Sequence, residues 1–74
     1  MIKLIWKFSG PDAKEIAKHH LSHLRQYIQK ENLEVHETNY EKFDENTVIS
    51  FAIVSDELLD KVKNDLKPHE GYLV

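Results

Sequence analysis

"TVISFAIVS", residues 47–55, is the most strand-like run of the chain, and its reading decides the fold. It is β-branched or aromatic almost throughout, the composition that suits a pleated, half-buried surface. A period of two splits it into Ile49, Phe51 and Ile53 on one side and Val48, Ser50, Ala52 and Val54 on the other. The first set is the larger. Burying it gives the deeper core, so Ile49, Phe51 and Ile53 are expected to face the helices, with Val48, Ser50 and Ala52 facing away.

The run before it, "LEVHETNYEKF" (33–43), is a weaker strand, with Leu33 and Val35 on one side and His36, Thr38 and Tyr40 on the other. "DEN" (44–46) supplies the turn between the two. At the start of the chain, "IKLIWKF" (2–8) alternates cleanly. Ile2, Leu4, Trp6 and Phe8 share one face, and Lys3, Ile5 and Lys7 share the other.

"SGPD" (9–12) then opens a helix, with Pro11 at the first helical position and Ser9 or Gly10 as the cap. Ala13, Ile16, Ala17, His20, Leu21, Leu24, Tyr27 and Ile28 recur at helical spacing, and Asn32 ends the helix near Glu31. After the strong strand, Ser55 is placed to cap a second helix, with Asp56 and Glu57 in its first turn. Leu58, Leu59, Val62 and Leu66 form its apolar stripe, Pro68 stops it, and "GYLV" (71–74) offers a short last strand.

The order is β-α-β-β-α-β, and each helix has one apolar stripe. The cheapest burial puts both helices on one face of a four-stranded antiparallel sheet of order 4-1-3-2, an α+β sandwich. At the level of topology this resembles the ferredoxin-like superfold over the whole chain. The resemblance rests on element order and implies a fold without a function.

The 74 residues leave room for one small domain, residues 1–74, burying about 60% of its unfolded surface. Hydrophobic residues make up 41% and charged residues 31%, a globular composition. With no cysteine there are no disulfides, thiolate ligands or cysteine nucleophiles. No apolar run approaches a membrane span, and no signal peptide is legible, so the expected compartment is the cytoplasm. The net charge of −3 is uneven: residues 1–32 carry six basic and three acidic groups, residues 33–74 four and ten. An acidic chain does not suit a phosphate backbone.

Three of the five histidines fall in "HHLSH" (19–23). On a helical wheel His20 lies inside the apolar stripe and is expected to be buried, while His19 points to solvent and His23 sits at the boundary. His19 and His23, at i and i+4, are the metal-ligand candidates. A metal site needs a third donor, and the zincin glutamate between the histidines is absent. No serine, histidine and acid offer a persuasive nucleophile arrangement, so no catalytic residues, and no cofactor, are assigned.

Function is then sought on the sheet face that the helices leave open. With Lys3 and Lys7 around Ile5, and with Val48, Ser50, Ala52, Val54 and Tyr40 beside them, this face lacks the stacked aromatics of an RNA-binding sheet. It reads instead as a mildly apolar association surface. The expectation is a non-enzymatic domain acting through protein association, as a homodimer or with another protein, through Ile5, Val48, Ser50, Ala52, Val54 and Tyr40. The alternative is a small-molecule or metal-binding regulatory domain using the helix of His19, His20 and His23. A third route is strand-to-strand pairing along Tyr72–Val74.

Overall fold

The computed structural model describes all of residues 1–74. Strand β1 (Ile2–Ser9) leads into helix α1 (Ala13–Lys30), followed by β2 (Val35–Asp44), β3 (Thr47–Val54), a 3-10 turn (Asp56–Leu58), helix α2 (Leu59–Leu66) and β4 (Glu70–Leu73). The sheet runs β2-β3-β1-β4 with every neighbouring pair antiparallel. This is the expected 4-1-3-2 order read from the other edge. The fold is the ferredoxin-like βαββαβ arrangement, an α+β sandwich with an open sheet.

The local signals act largely as their chemistry dictates. Asn32 takes φ 54 just beyond α1 and lets the chain leave the helix. Asp44 accepts a bond from the Asn46 amide at 2.8 Å and closes the β2–β3 turn. Two helix starts differ from expectation. Helix α1 begins at Ala13 with Asp12 in the cap position, and Asp12 makes no side-chain cap bond. Pro11 therefore sits in a turn ahead of the helix. Gly10, at φ 103, redirects the chain there while its amide bonds to the Asn46 carbonyl at 3.0 Å. Ser55 likewise precedes the second helical segment without a side-chain cap bond, and its carbonyl accepts from Leu58 to form a 3-10 turn first.

The facing of the strongest strand is the reverse of the expectation. The β1–β3 register sets Leu4 opposite Ala52, Trp6 opposite Ser50 and Ile5 opposite Phe51. Ala52 and Val54 pack with Leu4, Trp6, Leu21, Leu24 and Val62 under the helices, while Ile5, Ile49 and Phe51 form a separate cluster on the open face, joined by Ile53. The reason is room. The helix-facing residues of β1 are the large ones, Leu4, Trp6 and Phe8, and the small Ser50 and Ala52 beside them let α1 settle onto β3. Total side-chain volume is thus shared across strands rather than maximised on one.

Helix packing is reinforced by polar ties. The Trp6 indole donates to the Leu66 carbonyl at the end of α2 at 2.9 Å, and Tyr27 of α1 donates to Asp65 of α2 at 2.6 Å. Burial, then the Asp65 carboxylate, pushes the Tyr27 phenol up to about 12, so this tie survives neutral pH. Arg25 spans from α1 to the Thr38 hydroxyl and carbonyl on β2, at 3.1 and 3.2 Å.

Candidate functional site

Six residues are expected to form the association surface, and five of them lie beneath the helices. Ser50, Ala52 and Val54 are buried on the covered side. Val48 stands opposite Phe8 and Lys42, and Tyr40 packs against the helix-side core. Only Ile5 belongs to the open face. For Tyr40 the cause is a β-bulge: the register slips between Val35 and Glu37, so His36 is an extra residue. The slip returns Thr38 and Tyr40 to the face of Val35 and turns Glu37, Asn39 and Glu41 to the open side. Period-two reading has no way to see an inserted residue.

The open face that results is roofed by its own side chains. Ile49 is 3% exposed, Phe51 5% and Ile5 8%, although no helix covers them. Lys3 lies 4.3 Å from the Phe51 ring centroid and pairs with Glu41 at 3.1 Å. Lys7 lies 4.6 Å from the Phe43 ring centroid and pairs with Glu70. Each ammonium thus lies over an aromatic ring while paired with a carboxylate. The Glu70 contact holds the Lys7 ammonium above its ordinary range, and Lys7, then the Tyr72 hydroxyl, hold the Glu70 carboxyl below its own. The Ile5, Ile49 and Phe51 stripe is covered, and the large apolar groups this face leaves to solvent stand at its two margins, Phe43 at 58% and Tyr72 at 51% exposed.

The two sheet edges are unlike each other. Along β2 stand Glu37, Glu41, Lys42 and Asp44, flanked by Glu34 and Glu45, and the ladder is broken by bulges at both ends. Charges and bulges are how sheets prevent edge pairing. The β4 edge is short and unbulged, and its charge is one ion pair, Lys7–Glu70. Six large apolar residues of the chain are exposed, and four of them gather here: Met1, Tyr72, Leu73 and Val74. Leu73 is 82% exposed, while Gly71, on the same face, carries no side chain, and Leu4 Cδ2 closes over it to 3.3 Å from where a Cβ would stand. A cleft of about 290 Å³ adjoins Gly71, lined by Leu4, Leu59, Pro68, Gly71 and Lys63.

The histidines divide as the wheel dictates. His20 is half-buried, its ring 5.0 Å from Trp6 and 5.3 Å from Phe8. Its Nδ1 shares a 2.7 Å hydrogen bond with the Ser50 hydroxyl. Burial, with smaller contributions from His23 and His69, pushes the His20 ring below its usual range and favours the neutral form. A serine and a histidine in contact invite a nucleophile reading, but Ser50 is 0% exposed and no substrate can reach it. His19 and His23 are exposed, with their Nε2 atoms 3.0 Å apart. No group of three or more His, Cys, Asp or Glu side chains is placed to hold a metal, and His36 lies on β2, away from the pair. His69 accepts from the Lys7 amide at its Nδ1 at 2.7 Å, extending the β1–β4 ladder by a side chain.

No helix is long and apolar enough to cross a membrane. Comparison of the chain with models of protein families, with curated proteins and with solved structures finds no match in any of the three.

Proposed function

We propose that the chain is a non-enzymatic association domain that docks another polypeptide by strand addition along β4. The observation that carries this reading is the gathering of Tyr72, Leu73, Val74 and Met1, all exposed, on the one edge that is neither bulged nor lined by unpaired charge. Strand addition draws its affinity from main-chain hydrogen bonds and its selectivity from alternate side chains. Leu73 and the cleft beside Gly71 are such side-chain positions. The open face, where the association surface was expected, is the poorer surface. Its stripe is already covered, and docking there would have to displace or desolvate the Lys3–Glu41 and Lys7–Glu70 pairs.

Hydrogen exchange of the full chain, with and without an excess of an extended apolar heptapeptide, tests the reading. The amides of Gly71 and Leu73 are expected to gain protection while those of β2 do not change. Protection gained on β2 or α1, or nowhere, contradicts it.

A second reading takes His19 and His23 as a two-donor handle for a borderline divalent cation. Its support is their 3.0 Å approach on an exposed helix face. Water would have to fill every other position, which makes for weak binding. A thermal melt with and without Zn²⁺ separates the two readings, because a large metal-dependent rise in Tm would favour the histidines.

A further inference from the structure

The strand that completes the β4 edge is, we infer, the β4 of a second copy of this chain, paired antiparallel about a two-fold axis through Tyr72. The inference rests on the strand-addition reading and names its occupant.

The register follows from the ladder. The Val74 amide bonds to the Met1 carbonyl, and β1 pairs with β4 as Lys3 with Tyr72 and Ile5 with Glu70. Antiparallel ladders alternate, so Tyr72 and Val74 turn their backbone groups toward β1, and Gly71 and Leu73 turn theirs outward. A copy that uses both outward residues at once must set its Leu73 opposite Gly71 and its Gly71 opposite Leu73. The two Tyr72 residues then meet at the centre. Shifting the pairing by two residues either way sets Gly71 against Gly71 or Leu73 against Leu73, and leaves an outward residue of each copy without a matching one.

The side chains suit this register. Leu73 shares the helix-side face with Gly71, as their pairing with Ile2 and Leu4 requires. The second copy's Leu73 therefore arrives over Gly71, which opposes it with no side chain, beside the cleft lined by Leu4, Leu59 and Pro68. A large residue meets a glycine, twice, by symmetry. On the other face the two Tyr72 rings become a directly opposed cross-strand pair.

Charge separates the two edges. Pairing two copies, each of net charge −3, through β2 would set Glu37, Glu41 and Asp44 against their own kind. At β4 the one acid in the strand, Glu70, is already neutralised by Lys7. A β4-to-β2 contact would propagate into an open filament, and the bulges of β2 oppose it. The paired edge is short, below the roughly 1,000 Å² of a strong interface. The dimer is accordingly weak.

Disulfide trapping reads this register directly, because the chain has no cysteine of its own. Opposed residues of a non-hydrogen-bonded antiparallel pair have Cα atoms about 4.5 Å apart, within disulfide reach. Tyr72→Cys should form a covalent dimer under mild oxidation at least about tenfold faster than Leu73→Cys, whose two copies lie on different rungs. Adding Leu73→Glu to Tyr72→Cys should slow the trapping by a similar factor. Leu73 is mostly exposed, so the variant folds, and a heat melt of the reduced protein checks that it does. Equal rates for the two cysteines, or faster trapping at Leu73→Cys, overturn the register. If Tyr72→Cys does not cross-link while the apolar heptapeptide still protects Gly71 and Leu73, the second copy is the wrong occupant and strand addition stands. If neither occurs, both fall.

Discussion

The two faces of the sheet are built from the same strands and solve burial in different ways. Beneath the helices, large residues of β1 (Leu4, Trp6, Phe8) alternate with small ones of β3 (Ser50, Ala52), and helix side chains fill the rest. On the open face, Ile5, Ile49 and Phe51 pack with Ile53, the Lys3 ammonium lies over the Phe51 ring, and Lys7 lies over Phe43. One face is closed by packing and the other by amphipathic stems. Low exposure on an open sheet therefore does not signal a free binding surface. It signals one already in use.

The sharpest way to break this comparison is to truncate one aromatic on each side. Trp6→Ala removes a packed ring and strands the Leu66 carbonyl, and should cost about 3–5 kcal/mol in urea unfolding. Phe51→Ala should cost less, about 1–3 kcal/mol, because flexible lysine stems can settle into the space. Equal costs would mean that the open face is a second packed core. Overpacking sharpens the contrast. Ala52→Leu, directly under α1, should destabilise by about 1–3 kcal/mol, whereas a residue on an open face would accept the extra methyl groups freely.

A smaller effect tests the polar pair within the covered face. His20→Leu leaves the fully buried Ser50 hydroxyl without its partner and should cost about 1–2 kcal/mol, and adding Ser50→Ala should recover much of that. The same pair sets a pH dependence. The folded His20 ring titrates below its unfolded value of 6.5, so the unfolded chain binds more protons in the window beneath 6.5. Stability is full above that value and declines as the pH falls through it. The His20→Leu/Ser50→Ala variant should lose this part of the slope in a series of thermal melts between pH 7.5 and about 5.

Element order, sheet order and the exits from both helices were legible, because each rests on a local signal: alternation in "IKLIWKF", the left-handed Asn32, the Asp44–Asn46 turn, Pro68. The facing of β3 was not. Both of its alternate sets are apolar, and which one goes under the helices depends on what β1 contributes to the same layer, a sum taken over two strands. The expected surface of Ile5, Val48, Ser50, Ala52, Val54 and Tyr40 inherited that choice, and the His36 bulge moved Tyr40 independently. The burial of His20 was readable from the wheel, but its Ser50 partner lies on a distant strand whose facing had to be known first. The β4 edge was visible as "GYLV". Its weight became clear only once the open face proved to be covered.

Docking of another chain on the β4 edge rather than on the open face is the proposal from which the rest follows. Methyl resonances of the chain, followed as the extended apolar heptapeptide is titrated in, read it site by site. The Leu73 and Val74 methyl groups are predicted to shift as peptide is added while those of Ile5, Ile49 and Ile53 hold still. Shifts centred on Ile49 and Ile53 with Leu73 unmoved, or no shift in any of them, would contradict it.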